Sequence, residues 1–137
     1  MIKINLEINN LTNSEIDKGF LERVGKNALK FLKTKKPKEL SLVIVGDQKI
    51  KELNKKYRNQ NKATDVLAFD YGEIFICLPQ AKRQAKQLGH SLKKELAILL
   101  IHGILHLAGY DDETKKDYNK MVRKQEELWQ KVIQLLV

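Results

Sequence analysis

The stretch from Leu92 to Asp112, LKKELAILLIHGILHLAGYDD, constrains this chain more than any other. From Leu96 onward it is apolar around most of a helical circumference, so it has to lie inside the protein with other elements packed about it. His102 and His106 sit in it four residues apart, one turn from each other on one face. Burying two imidazoles costs free energy unless each finds a partner. Gly103 beside them is a poorer helix former than Ala by about 1 kcal/mol. Two local rules broken in one place mark a functional site. The apolar run Leu96 to Gly109 has 14 residues. Crossing a bilayer takes about 20, so no membrane partner is expected.

Histidines at i and i+4 place their ring nitrogens where one divalent cation can bridge them. A third ligand from another direction would complete a tetrahedral Zn²⁺ site with one position left for water. Gly109 can reverse the chain in a left-handed turn, and Asp111 and Asp112 follow within three residues. The spacing His-x3-His-x2-Gly-x2-Asp is similar to the H-E-x-x-H-x-x-G-x-x-H of metzincin proteases, with Asp112 in the third-ligand place. Asp111, one residue off that spacing, competes for the role. A zincin also needs Glu after its first histidine as general base, and here that residue is Gly103. Peptidase chemistry is therefore disfavoured, whereas metal-assisted hydrolysis in general is not.

The rest of the chain predicts what surrounds this helix. Ile2, Ile4, Leu6 and Ile8 alternate with polar residues, as in a half-buried strand. Thr12, Asn13 and Ser14 offer caps for an amphipathic helix carrying Ile16, Phe20, Val24, Ala28 and Phe31. Leu40 to Val45 is a branched, nearly continuous apolar run, a strand buried on both faces. Asp47 can cap a helix that turns Ile50, Leu53 and Tyr57 to the core. Val66–Phe69 and Ile74–Leu78 read as a hairpin around Asp70 to Glu73. Pro79 opens a helix ending at Gly89, Ser91 caps the histidine helix, and a last helix runs from about Glu113 to Leu136 with Met121, Val122, Leu128, Trp129 and Val132 on its buried face. This order is not a regular βαβ alternation. It predicts an α+β domain over residues 1–137, with a small mixed sheet of about four strands packed with helices around the buried histidine helix.

The chain has 137 residues, 26 Lys and Arg against 17 Asp and Glu, and a net charge of +9. The excess is uneven: residues 1–68 hold 15 cations and 8 anions, residues 69–137 hold 11 and 9. Such a balance favours a polyanionic partner, nucleic acid above all. The run Lys33 to Lys38, with Lys55, Lys56, Lys62, Lys82, Arg83 and Lys86, could line an RNA path, and affinity should then fall with salt. Few aromatics are available for stacking, which fits a strand-sensing protein better than sequence readout. A single cysteine, Cys77, excludes an internal disulfide framework and suits a reducing compartment. With no signal-peptide pattern in MIKINLEINN, the chain reads as cytoplasmic.

Three blocks carry a family resemblance. HGILHLAGYDD resembles the H-G-x-L-H-L-x-G-Y-D-H signature of the YbeY endoribonucleases. LNKKYRNQNKATDVLAF, from Leu53 to Phe69, is similar to that family's L-N-x-x-Y-R…T-D-V-L-S-F, and GEIFIC, from Gly72 to Cys77, to its G-D-I-x-I-C. The blocks occur in family order and cover essentially the whole chain. The resemblance implies a zincin-like α+β fold and one zinc ion. It implies a single-strand-specific endoribonuclease acting in 16S ribosomal RNA 3′-end maturation and ribosome quality control on ribosomal particles. It also implies an essential role for Arg58. The expected ligands are His102, His106 and Asp112, the last standing where the family has its third histidine. Ala68 replaces serine, Glu73 replaces aspartate, and the hairpin connection is short. A monomer is favoured.

Other residues carry plainer expectations. Thr64 and Asp65 read as a turn ahead of a strand, Cys77 as a buried inert thiol, and His90 as a surface or capping residue. Glu95, two turns before His102, is far for a hydrogen bond to that ring. A non-catalytic, ribosome-associated RNA-binding factor with a structural metal suits the charge equally well. Loss of cleavage with RNA affinity retained in a folded alanine variant would separate the two.

Overall fold

Leu40 to Val45 is the segment whose side chains need cover on both sides, and it takes the inside of the sheet. The computed structural model describes residues 5–32 and 39–136. Strand β2 (Glu39–Val45) lies between β1 (Asn5–Asn10) and β4 (Glu73–Cys77), parallel to both. At the far edge β3 (Val66–Phe69) pairs antiparallel with β4, giving the order β1-β2-β4-β3. The β3–β4 turn closes with Gly72 at φ 100°, its N–H donating to the Phe69 carbonyl at 2.9 Å. A positive φ of this size is why glycine stands there. The small mixed sheet and α+β class predicted from sequence are what the chain forms.

Helices α1 (Lys18–Leu32), α3 (Leu78–Leu88), α4 (Leu92–Leu107) and α5 (Lys115–Leu136) build the main core on one face. Helix α2 (Asp47–Arg58) covers the other, over Val43, Val45, Leu67, Phe75 and Cys77. The histidine helix α4 is central: α1, α3, α5, β3 and β4 all pack on it, and Leu100, Ile101, Ile104 and Leu105 are fully buried. Gly103 has a packing reason. A Cβ built on it would lie 2.9 Å from Ile74 Cδ1 and Cγ2 on β4, so only a bare backbone lets α4 approach the sheet this closely. The same contact leaves no space for a zincin glutamate at that position.

Several local expectations change. The cap of α1 is Asp17, whose Oδ1 accepts the Phe20 N–H at 3.0 Å, and Ile16 precedes the helix. Thr12 and Ser14 instead close a loop with Asn10, which donates to the Ser14 carbonyl at 2.6 Å and accepts from the Thr12 hydroxyl at 2.7 Å. Asp47 caps nothing: Gly46 is the N-cap of α2 with no side-chain bond, and Asp47 binds Cys77 and Arg83. Tyr57 does not face the core, being 54% exposed in the last turn of α2. The ring lies edge-on to Phe69, centroids 5.1 Å apart, at the rim of the sheet. On α5, which starts at Lys115 behind the Thr114 cap, Val122 is exposed while Met121, Leu128, Trp129 and Val132 are buried. The predicted strand residues Ile2 and Ile4 and the basic run Lys33 to Lys38 lie outside the described residues.

Candidate metal centre

The site forms where α4 ends. His102 and His106, on one face of the helix, turn their Nε2 atoms toward each other at 3.1 Å, with ring centroids 4.7 Å apart. Two imidazole nitrogens bound tetrahedrally to one ion at 2.0–2.1 Å would sit about 3.3 Å apart, so the spacing fits. Beyond Leu107 the helix unwinds: the Ala108 N–H reaches back to Ile104 and Leu105, and Tyr110 N–H donates to the Leu105 carbonyl at 3.0 Å. Gly109 makes the reversal at φ 100°, which an L side chain rarely adopts. The returning chain brings a carboxylate oxygen of Asp112 to the histidines, and the three ligand atoms lie within 4.8 Å of one another. Asp111 is employed otherwise, its Oδ1 accepting the Glu113 N–H at 3.3 Å. Of the two aspartates, geometry brings Asp112 to the site.

Gln125 of α5 supports the arrangement from behind, and sequence reasoning missed it. Its Oε1 lies 2.9 Å from His102 Nδ1. An amide oxygen only accepts, so Nδ1 carries the proton and Nε2 presents its lone pair to the site. The signal was present: Met121, Gln125, Leu128 and Val132 form one stripe on α5, and Gln125 is the polar residue in it. Burial first, then the neighbouring His102 and Arg58, hold His106 below the usual histidine range, against the pull of Asp112. A neutral imidazole is what a metal ligand requires. Three acceptors thus converge on one point, a donor set of two imidazoles and a carboxylate that suits a borderline divalent cation such as Zn²⁺.

Arg58 ends α2. Asn59 follows at φ 55° and closes the helix by donating to Lys55 O at 3.1 Å. The loop beyond is tied down by buried Asn54, whose Nδ2 donates to the Lys62 carbonyl at 2.9 Å. Arg58 is exposed and enters none of the ion pairs formed among the described residues, yet its charge is felt at His106. An unpaired guanidinium whose charge acts on a metal ligand is suited to hold an anion.

Residues 3–133 match the family model described as Endoribonuclease YbeY. The chain belongs to the YbeY endoribonuclease family. The protein named Endoribonuclease YbeY in Aster yellows witches'-broom phytoplasma is 41% identical over 115 residues, covering 74% of this chain and 79% of that one. The YbeY of Nautilia profundicola is 43% identical over 103 residues, 69% of this chain and 73% of its own. The solution structure of TM1509 from Thermotoga maritima superposes with a TM-score of 0.65 and 32% identity, over 93% of this chain and 88% of that one.

Within this YbeY fold the remaining sequence candidates fall into place. Asp65, with Thr64 just ahead of it, sits at a bend rather than in the predicted turn: its Oδ1 accepts the Val66 N–H at 2.8 Å, and its carbonyl accepts the Cys77 N–H at 2.8 Å, extending the β3–β4 pairing. Cys77 is buried, its thiol donating to Asp47 at 3.2 Å, and burial above all pushes its pKa up to about 11. Lys82 donates to Ser14 Oγ at 3.2 Å and Arg83 pairs with Asp47 at 2.9 Å, both at the exposed surface. Glu95 does not touch the metal site; it binds His90 and Gln84. No helix among the described residues is long and apolar enough to cross a membrane.

Proposed function

We propose that residues 1–137 form one metal-dependent endoribonuclease domain that cuts single-stranded RNA. We assign its physiological role to 16S ribosomal RNA 3′-end maturation and ribosome quality control in the cytoplasm. His102, His106 and Asp112 hold one zinc ion, and Arg58 is catalytic. The observation that carries this reading is the convergence of two imidazole Nε2 atoms and one carboxylate, with the unpaired Arg58 guanidinium acting on His106 through its charge, within a family named for endoribonuclease activity. A divalent ion in that place supplies Lewis acidity, polarising a phosphoryl oxygen and making a water more acidic.

The chain's own residues do the rest. Gln125 keeps His102 in the tautomer that offers Nε2. Arg58 holds the scissile phosphate through its forked N–H groups and stabilises the charge that builds on phosphorus oxygens in the transition state. Exposed Tyr57 and Tyr71 flank Phe69, edge-on at 5.1 Å and stacked at 5.8 Å, with Lys56 Nζ 5.2 Å from the Tyr57 centroid. Few as the aromatics are, these three gather at the sheet rim near Arg58, where unpaired bases can stack. That is the support for single-strand preference, and the net charge of +9 supports an RNA partner. The test is metal analysis alongside RNA cleavage for wild type and Asp112→Ala. One ion per chain is expected in wild type, with metal and cleavage falling together in the variant. Full cleavage without metal would refute the assignment.

A further inference from the structure

The end of α4 away from the metal centre meets α1 and α5 around a cleft of about 420 Å³. The floor is apolar, made by Trp129, Ile133 and Leu136 of α5 and Phe20 of α1. The rim is cationic, with Arg23 from α1 and Lys93 and Lys94 from the first turn of α4. Among the described residues no carboxylate lines this cleft. Arg23 and Lys94 enter no ion pair formed among those residues, and Lys93 is shared with Asp17 at 3.2 Å. Across Phe20 and Lys93 the surface turns acidic, where Glu15 and Asp17 border the next cavity. The cationic stretch therefore has a boundary.

Floor and rim make two separate demands on an occupant: apolar side chains below, anionic groups above. Nucleic acid meets the second and not the first. A stacked base needs an open ring face, and Phe20 and Trp129 are each 7% exposed. Both rings already carry an ammonium, Lys93 Nζ lying 4.4 Å from the Phe20 centroid and Lys94 Nζ 5.8 Å from that of Trp129. A peptide helix with aliphatic residues along one side and carboxylates beside them meets both demands. Lys94 and His106 stand twelve residues apart on α4, about 18 Å along the helix axis. An occupant of the cleft therefore leaves the metal centre open.

We propose that this cleft docks an acidic, amphipathic helical segment of a partner protein. Its carboxylates pair with Arg23, Lys93 and Lys94, and its aliphatic side chains enter between Phe20, Trp129, Ile133 and Leu136. The cationic rim selects the partner, because a basic segment is repelled there. The apolar anchors supply most of the affinity. The site stands apart from the metal centre and does not depend on it.

Trp129 is the chain's single tryptophan and lies in the floor, so its fluorescence reports occupancy of the cleft. The probe is a synthetic, tryptophan-free helical peptide of about 18 residues, with leucine along one face and glutamate on the other. Titrated into wild type, it should shift the Trp129 emission saturably. Arg23→Glu/Lys94→Glu should weaken binding about tenfold or more. Lys49→Glu/Lys51→Glu, at exposed positions of α2, changes the net charge equally and should stay within about twofold of wild type. The same peptide with lysine for glutamate, or alanine for leucine, should not bind. The cleft variant should keep the wild-type melting temperature and RNA cleavage; should it fail to fold, Arg23→Gln/Lys94→Gln decides by the same criteria. No saturable shift in wild type, equal weakening in both charge-reversed variants, or binding of either control peptide would overturn the proposal. So would loss of RNA binding in the cleft variant, which makes the cleft an RNA contact. A wild-type dimer that the cleft variant dissociates, seen by light scattering, would make the occupant a second copy of this chain and overturn it equally.

Discussion

The two faces of the sheet each carry a polar cluster containing groups that bind metals, and they are built on opposite logic. On the α2 face, Asp47 receives the Cys77 thiol at 3.2 Å and the Arg83 guanidinium at 2.9 Å. Every acceptor there has a donor, and Arg83 foremost holds the Asp47 carboxyl below its usual range. On the α4 face, His102, His106 and Asp112 aim acceptors at one another within 4.8 Å, and the ring proton of His102 is committed elsewhere, to Gln125. The first cluster is closed and fastens α2 to α3 and β4. The second is open, and a cation completes it. Residue type alone does not separate the two; the direction of the protons does.

The largest effect should come from the open cluster. Arg58→Ala is expected to lower RNA cleavage by about 10²–10³, the range for losing one transition-state donor, with zinc content unchanged. Loss of zinc in that variant would mean Arg58 belongs to the framework. Gln125→Leu frees the His102 ring, and zinc affinity by competition with a chelator should fall about 10–100-fold. Unchanged affinity would show that α5 plays no part in the site. Gly103→Ala sets a gain of about 1 kcal/mol in helix propensity against an overpacking cost of about 1–3 kcal/mol where Ile74 intrudes. The melting temperature should drop by a few degrees, and a rise would contradict the close approach of α4 to β4. The smallest effect belongs to the closed cluster. With the Cys77 thiol pushed up to about 11 by burial and by Asp47, labelling by a thiol reagent at pH 8 should stay slow in the native chain. It should accelerate once denaturant exposes the residue; fast native labelling would show the cluster to be open.

What could be read beforehand was chain-local. The branched run of β2 and the apolar circumference of α4 follow from solvent exclusion alone, and the His102–His106 pair and the Gly109 reversal follow from helix geometry over a few residues. Gln125 was not seen because its partner lies 23 residues away, although a lone amide on an apolar stripe was a usable sign. Tyr57 was placed inside because helical periodicity gives a face but not the point where the sheet beneath it stops. Thr12 to Ser14 and Asp47 have the chemistry of helix caps, yet Asn10 claims Thr12 and Ser14, and Arg83, 36 residues on, claims Asp47. The His90–Glu95 bond was within reach of sequence, five residues apart. Its burial was set by the packing of α3 on α4, which no local pattern displays.

X-ray absorption at the zinc edge tests the central claim most directly, on zinc-loaded wild type and Asp112→Ala. Two imidazole nitrogens at about 2.0–2.1 Å and a carboxylate oxygen at about 2.0–2.2 Å are expected in the first, with that oxygen signature lost in the second. A spectrum with fewer than two imidazoles, or one unaltered by Asp112→Ala, would contradict the account.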